Sequence, residues 1–326
     1  MLLTVSQSPH IYTRRSVSSC MWHVVVALLP ALLCSLYFFG IGALIVVFTS
    51  ILGCMAFEYS ITRWMLGKKS TLANGSALLT GLLLAFNLPS NTPVWVILIG
   101  ALVAIGIGKM AFGGLGCNIW NPALVARVFL LISFPVYMTS WPLPMVNRMH
   151  YLDATTGATT LSLLNNPVEA TTGATSGPVE HEVVDWFNLA IGDIGGSLGE
   201  VSAIALIVGF IYLLCVRVIS WHIPVAIIGT VALFTLCIGD NVAVEIFSGG
   251  LLLGAIFMAT DYVTSPMSKK GMLVYGVIIG MVTVIIRKCG AYPEGVSFAI
   301  LLANSMVPLI DRFIKPKKFG ERRTRK

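Results

Sequence analysis

The sequence predicts an all-α integral membrane protein, with about ten transmembrane helices as two five-helix inverted repeats with broken helices, plus one long extracytoplasmic loop. Three observations lead to this fold class. Of the 326 residues, 56% are hydrophobic and only 11% are charged, whereas soluble domains carry about 25% charged residues. The apolar residues form runs close to the roughly 20 residues that cross a bilayer. The basic residues lie mainly between alternate runs. This composition excludes a soluble enzyme, a secreted disulfide module and a disordered chain.

Ten apolar segments are candidates for the spans, five before and five after a long polar stretch. The first follows Arg14 and Arg15 as a signal peptide would, but no small-residue cleavage site comes after it, so we interpret it as a retained span. The third and the eighth are short and are interrupted by small or polar residues. The segments are 22–39, 41–60, 74–88, 93–111, 123–139, 200–216, 222–238, 243–259, 271–287 and 295–310.

The basic residues predict the orientation of these spans. With a cytoplasmic N-terminus, 18 of the 21 Lys and Arg residues fall on the inner side, Lys109 and Arg127 among them. Because cytoplasmic loops are enriched in Lys and Arg, we expect both termini in the cytoplasm and the long loop outside. The predicted parts are a first five-helix membrane half, an extracytoplasmic loop, a second five-helix half and a basic cytoplasmic tail, at 1–139, 140–199, 200–311 and 312–326.

The outer loop carries a repeated motif. DATTGAT occupies 153–159 and EATTGAT occupies 169–175, in a stretch that holds seven acidic residues and one basic residue through Glu200. A threonine hydroxyl is a weak nucleophile unless it is activated, but an enzyme can modify it where Gly and Ala leave the segment accessible. On composition alone, a Thr-rich flexible linker is the favoured interpretation of both copies.

The two membrane halves share a pattern around their short segments. GLLLAFNLP at 81–89 and GAIFMATD at 254–261, which is followed by Pro266, both combine small residues, a polar break and a later proline. Five spans in each half with opposite insertion indicate an inverted repeat. Discontinuous helices in such repeats usually hold ligand or ion sites.

Charged residues near the predicted span ends are expected to reach water. Glu58, Lys109, Glu245 and Asp261 lie at or near these ends, where long side chains usually snorkel to the interface. Charges at depth are often functional, but these positions give no basis for assigning an ion path.

Asn118, Asn121 and Pro122 follow a glycine-rich run at the predicted inner face. We expect the two amides to satisfy the backbone of a broken helix, with a flavin or quinone contact as the alternative. The five His residues show no pairing suited to haem or metal, and the seven Cys form no C-x-x-C motif, so no metal site is predicted. The net charge of +7 lies in short clusters between apolar runs and predicts no nucleic-acid partner.

The loop motif stands in an ordered set of further stretches, GSALLTGLLLA at 75–85, FGGLGCNIWNP at 112–122, GSLGE at 196–200, SGGLLLGAIFMATD at 248–261, IRKCGAYPEGVSFA at 286–299 and NSMVPLID at 304–311. Together they resemble one family: the D subunit of the Rnf complex, related to the B subunit of the Na+-translocating NADH:quinone reductase. In that family, D-x-x-[ST]-G-A-T is the pattern at which flavin transferases esterify FMN onto threonine. The resemblance covers nearly the whole chain, and the length fits the D subunit better than its longer relative.

The resemblance implies a membrane subunit of an ion-pumping ferredoxin:NAD+ oxidoreductase that relays electrons between neighbouring subunits. FMN is expected on Thr159 through a phosphoester, in an attachment motif formed with Asp153, Gly157 and Ala158. Thr175 in the second copy is the alternative, but Glu replaces the leading Asp of the pattern there. A second, noncovalent flavin such as riboflavin is expected in the membrane part.

The same resemblance implies partners and a location. The expected partners are the A, B, C, E and G type subunits of the complex, a flavin transferase for maturation, and the lipid bilayer of the bacterial inner membrane. No residue of this chain is expected to be catalytic, because the redox chemistry belongs to the flavin and the enzyme activity to the complex. Two other functions fit the fold class: a solute channel or transporter like the urea transporters, and a structural membrane scaffold.

Overall fold

The computed structural model describes residues 16–67, 71–145, 151–152, 156–157, 191–192, 195–200, 202–290 and 294–315, most of them helical. Five helices in this part of the chain are long and apolar enough to cross a membrane. They are Val17–Phe39, Ile41–Met65, Val94–Phe112, Lys269–Cys289 and Val296–Phe313.

The first half of the chain begins with a capped helix and contains one short, buried helix. Ser16 caps the first helix by accepting a hydrogen bond from the Ser19 amide, as N-cap serines commonly do. The elements are α1 (Val17–Phe39), α2 (Ile41–Ser60) with a π-helical continuation (Ile61–Met65), a 3-10 turn (Leu72–Asn74), α3 (Ser76–Phe86), α4 (Val94–Leu102) with a π-helical turn (Val103–Ile107) and a 3-10 turn (Met110–Phe112), α5 (Pro122–Ser133) and α6 (Pro135–Met138).

The second half contains the same kinds of elements. The chain first passes two short strands, β1 (Trp141–Pro142) and β2 (Thr156–Gly157), which form an antiparallel pair. The helices are α7 (Ala203–Cys215), α8 (His222–Ile238), α9 (Val242–Phe247), α10 (Leu251–Leu253) with a π-helical continuation (Gly254–Met258), α11 (Lys269–Cys289) and α12 (Val296–Phe313).

Each of the ten predicted segments contains helix, and the short third and eighth segments are the interrupted ones. The third is α3, which ends at Phe86, and the eighth is divided between α9 and α10 by the turn at Ser248–Gly250. The fifth segment differs from the prediction, because its helix stops at Ser133 and a separate turn follows. Pro135 lacks the amide hydrogen that would continue the helix.

Small residues let the helices approach closely. A Cβ built on Gly81 of α3 would lie 2.7 Å from the Cα of Ile51 in α2, and a Cβ on Gly276 of α11 would lie 2.6 Å from the Cβ of Ala226 in α8. Membrane helices associate through such small-residue contacts because lipid supplies no hydrophobic driving force between them. The α2–α3 and α8–α11 interfaces therefore depend on glycine.

The outer surface of the bundle is apolar. Large hydrophobic side chains on several helices are more than half exposed, which would be unfavourable in water over so wide a surface. Examples are Leu33, Phe48, Leu236 and Ile285. This surface, together with the apolar helices long enough to span a bilayer, makes the chain a multi-pass membrane protein.

Candidate functional site

Of the residues predicted to form the attachment site, Gly157 lies in the described part of the chain, and its neighbour Thr156 is the other described residue of the motif. Asp153, Ala158 and Thr159 lie outside the described residues, as does the alternative Thr175. The described part of the motif therefore ends at its glycine, two residues before the threonine predicted to carry the flavin.

The two described residues of the first motif copy form strand β2. Gly157 pairs with Trp141, and Thr156 pairs with Pro142. Trp141 is buried, and a Cβ on Gly157 would lie 2.8 Å from a terminal methyl carbon of Leu143. The glycine of the motif thus lets β2 lie against the segment that follows β1.

Two hydrogen bonds tie the outer segment to the ends of the helices. The Met145 amide donates to the Phe38 carbonyl near the end of α1 at 3.0 Å, and the Tyr151 hydroxyl donates to the Thr92 carbonyl just before α4. Burial raises the pKa of Tyr151 to about 12, so its hydroxyl keeps the proton that it donates at neutral pH. The motif is therefore anchored at the end of the bundle where α1 ends and α4 begins.

A second glycine-rich segment, 195–200, fills the space beyond the end of α3. The amides of Leu198 and Gly199 donate to the carbonyls of Leu88 and Phe86 at 3.2 and 2.9 Å. A Cβ on Gly199 would lie 2.8 Å from the Cβ of Phe86, so this position has no room for a side chain. The segment supplies donors to carbonyls that the interrupted helix leaves without helical partners.

Two of the four charged residues expected near span ends form a buried ion pair with each other. The Lys109 ammonium donates to Glu58 at 2.5 Å and to the Ser76 hydroxyl at 2.7 Å. Thr71 donates to the other oxygen of Glu58 at 2.6 Å. Glu58 and Lys109 are 1% and 2% exposed, so the expectation that they snorkel to water is wrong. The partners come from α2, α4 and the start of α3, which bury them together.

Glu245 is the third exception to the expected snorkelling, and its pair lies in the second half. Arg287 at the end of α11 donates to the Glu245 carboxylate at 2.6 Å and to the Ser248 carbonyl at 3.0 Å. Lys288 approaches the other oxygen of Glu245 at 3.4 Å. Arg287 is 2% exposed. The guanidinium therefore binds the turn that separates α9 from α10, as Lys109 binds the start of α3.

Arg127 lies inside the protein and forms a third buried pair. Its guanidinium donates to Asn87 at 2.7 Å and contacts the carboxylate of Glu294, and it is 6% exposed. Arg127 was predicted to lie at the inner membrane surface with the other basic residues. This prediction is wrong, because Arg127 lies in the second turn of α5 and faces the end of α3. Without the three buried cations Lys109, Arg127 and Arg287, the remaining basic residues are still in excess on the predicted inner side.

The two asparagines of the glycine-rich run satisfy broken backbone, as expected. The Asn121 side chain accepts from the Ala123 amide at the start of α5 and donates to the carbonyl of Met258 at 3.2 Å. Asn118 donates to the carbonyl of Trp120 at 3.1 Å. Asn121 thereby joins the start of α5 to the end of the α10 segment.

A cavity lies beside these amides. Ligand sites are mostly apolar with a few placed polar groups, and the wall of this cavity has that composition. Asp261, the fourth charged residue expected near a span end, is partly buried in its wall and accepts from Thr264 at 3.4 Å. The polar side chains in the wall are Ser76, Thr80, Lys109, Asn118, Asn121, Thr260 and Asp261. The apolar ones include Leu79, Leu83, Ile256 and Phe257.

Asn118, Asn121 and Asp261, which are predicted separately from the sequence, lie in the wall of one cavity together with Lys109. The group formed by Asn87, Arg127 and Glu294 was not predicted from the sequence. The signal available for that group was a basic residue just inside a predicted apolar span, because a charge at depth is expected to have a partner.

Comparisons with known proteins agree with one another. A family model described as the NQR2, RnfD, RnfE family matches residues 4–320. The D subunit of the Na+-translocating ferredoxin:NAD+ oxidoreductase complex of Acetobacterium woodii is 43% identical over 325 residues, covering 99% of this chain and 97% of that protein. The D subunit of the proton-translocating ferredoxin:NAD+ oxidoreductase complex of Clostridium ljungdahlii is 41% identical, with the same coverage. The D subunit of an ion-translocating oxidoreductase complex of Stutzerimonas stutzeri is 39% identical, covering 94% and 93%.

Proposed function

The chain belongs to the NQR2, RnfD, RnfE family, and on that basis we propose that it is the D subunit of an ion-translocating ferredoxin:NAD+ oxidoreductase complex. The observation that carries the proposal is the match of full-length relatives that bear this name, at 41–43% identity. The names of those relatives include both Na+ and proton translocation, so family membership does not select the coupling ion. The other subunits of the complex and the bacterial inner membrane are the proposed surroundings, with both termini in the cytoplasm and the 140–199 loop outside.

We propose that the membrane part is an inverted repeat of two five-helix halves. Equivalent helices of the two halves pack against each other, α1 on α7 and α5 on α12, and the α2–α4 contact has its counterpart in α8–α11. Each half also buries a cation from the end of its fourth helix against the interrupted segment, Lys109 in one half and Arg287 in the other. These correspondences support the repeat, with one buried pair toward each membrane face.

We propose that Thr159 carries FMN and that the flavin relays electrons between neighbouring subunits. The threonine oxygen would attack the phosphorus of a flavin nucleotide whose FMN phosphate carries a leaving group. The oxygen–phosphorus ester forms while the leaving group departs with the hydroxyl proton. The flavin supplies the redox chemistry, and this chain supplies its position. The anchoring of Gly157 on the β1–β2 sheet supports the first motif copy, because a tether that starts on a fixed strand restricts where the flavin can reach.

We propose that the cavity beside Asn118 and Asn121 holds the noncovalent flavin. Its wall is mostly apolar and carries a few polar side chains, which is the usual composition of a ligand site. A flavin ring has apolar faces and a polar edge, and the wall offers Phe257 and Leu83 for the faces and two amides for the edge. Asp261 and Thr260 in the same wall would bind hydroxyl groups of a ribityl chain.

The covalent flavin is tested on a denaturing gel. We expect a fluorescent band near 35 kDa when the chain is produced with its complex and a flavin transferase, and a dark band when the transferase is omitted. Noncovalent flavin is lost on denaturation and cannot give this signal. A dark band in the presence of a transferase that labels a known acceptor would overturn the proposed cofactor.

The cavity is tested by filling it. Leu79 lies in the cavity wall, and Leu79→Trp is expected to remove most of the acid-extractable flavin, because the indole occupies the space of the ring. The measurement is flavin per chain by chromatography of the acid extract. Leu33→Trp, on the exposed face of α1, is the control and should keep the extractable flavin. Covalent fluorescence of the same samples should not change. Equal extractable flavin in both variants would place the noncovalent flavin elsewhere.

A solute channel could be built on the same proposed repeat, but it would give no role to either copy of the threonine motif in the loop. The family assignment favours the oxidoreductase subunit over both the channel and the structural scaffold, since the full-length relatives are named as subunits of an oxidoreductase complex.

A further inference from the structure

Glu200 lies near Arg127, which contacts Asn87 and Glu294. We call these four residues the Arg127 network. Glu200 ends the glycine-rich segment that docks on the end of α3. Arg127 from α5 and Arg287 from α11 both lie close enough to act on its carboxylate electrostatically. The network therefore joins two elements of the first half to two loop segments of the second.

The basic side chains of this region already have carboxylate partners. Arg127 contacts Glu294, Arg287 binds Glu245, and Lys288 contacts Asp240 at 2.7 Å. These form a set of three basic and three acidic groups. Glu200 is a fourth acid, and in the part of the chain that the structure describes it forms no ion pair. With every group ionised, these seven described residues carry one negative charge in excess.

Two glycines hold the Glu200 carboxyl group. A Cβ on Gly250 would lie 2.9 Å from Oε1, and a Cβ on Gly196 would lie 2.8 Å from Oε2. The Ser197 amide donates to Oε2 at 3.4 Å. Oε1 is shut off from solvent, and no described residue donates a hydrogen bond to it. Side chains at these glycine positions would displace the carboxyl group, so the site has a defined shape.

A second buried oxygen of the network also has no donor among the described residues. Glu294 is 8% exposed, and its Oε1 has no hydrogen-bond partner there, although its other oxygen contacts Arg127. Ser297 lies three residues further on and is 2% exposed, and its buried hydroxyl oxygen likewise has no hydrogen-bond partner among the described residues. Such groups in a native structure indicate an ion, a water or a proton that satisfies them.

The two guanidinium groups near Glu200 are already paired with Glu294 and Glu245. A buried carboxylate oxygen without a partner of its own is unfavourable, and the group either neutralises or binds a cation. The start of α10 at Gly250 offers only a partial positive charge, and no amide there reaches Oε1. We propose that Glu200 binds one exchangeable monovalent cation, which is a proton in sodium-free solution. The proposal that this cation is a coupled ion rests on the proposed membership in an ion-translocating complex. The proposal that Glu200 binds a cation rests on the charges and geometry above.

Infrared difference spectroscopy of the purified complex in sodium-free detergent solution tests the proposal without using the flavin. We expect the C=O stretch of a protonated carboxyl group at neutral pH, lost as the pH is raised and absent in Glu200→Gln. Asp240→Asn is the control, because Asp240 has Lys288 as its partner and should not contribute to the band. Identical wild-type and Glu200→Gln spectra would overturn the proposal.

Sodium titration shows whether the cation bound by Glu200 is a proton alone or a proton that exchanges for Na+. Loss of the band on adding sodium at fixed pH identifies a site that exchanges a proton for Na+, and an unchanged band identifies a proton site. If Glu200→Gln does not assemble, Gly196→Ala replaces it. The added Cβ would press on Oε2, so the band of the intact carboxyl group must shift in frequency, and an unshifted band would assign it to another acid.

Discussion

Thr159→Val is expected to abolish the fluorescence of the denatured 35 kDa band, and Thr175→Val is expected to leave it unchanged. Valine keeps the branched shape of threonine but has no hydroxyl oxygen, so the phosphoester cannot form. The two motif copies differ at their first residue, Asp153 in one and Glu169 in the other. Each variant is therefore the matched control for the other, in the same loop and with the same substitution.

The measurement is in-gel fluorescence divided by the amount of chain in the band. Western detection of the chain confirms that both variants are present in the membrane. Loss of the signal only in Thr175→Val would contradict the site assignment but keep the covalent flavin. Partial loss in both variants would show that both threonines are modified.

Lys109→Met is expected to destabilise the membrane part by about 3–5 kcal/mol, the usual effect of breaking one partner of a buried pair. The substitution leaves the Glu58 carboxylate 1% exposed with Thr71 as its remaining described partner. The Glu58→Gln/Lys109→Met double variant should recover most of this loss, because it leaves no buried charge. The measurement is thermal unfolding in detergent, followed by tryptophan fluorescence.

Lys288→Met provides the control for that comparison. The Lys288 side chain is 28% exposed, and ion pairs that reach solvent contribute roughly 0–1 kcal/mol. We expect a melting temperature close to wild type. A Lys109→Met variant as stable as Lys288→Met, or a double variant no more stable than Lys109→Met, would contradict the role given to the buried pair.

The sequence predicted that the chain is a membrane protein and which segments contain helix, because both depend on local composition. Scarce charge and apolar runs are visible without knowing which residues meet in space. The interruption of the third and eighth segments was also visible, since Gly, Asn and Pro mark it. The stop at Ser133 was missed, although Pro135 two residues later was the signal.

The buried charges could not be predicted in the same way. Glu58 and Lys109 are 51 positions apart, and Glu245 and Arg287 are 42 apart. A residue near a span end reaches water or a partner depending on which helix packs against it, and the sequence of one span does not contain that information. The same limit applied to Arg127, whose partner Glu294 belongs to the other half of the chain.

Mass spectrometry of the wild-type protein detects a covalent flavin on Thr159 directly. A glutamyl endopeptidase that cuts after Glu169 and Glu180 separates the two motif copies, since Thr159 falls before the first cut and Thr175 in the fragment 170–180. We expect the fragment ending at Glu169 to be heavier by one FMN less one water, with the added mass on Thr159 after fragmentation, and the fragment 170–180 to be unmodified. An unmodified fragment ending at Glu169, from a complex made with an active flavin transferase, would contradict this expectation.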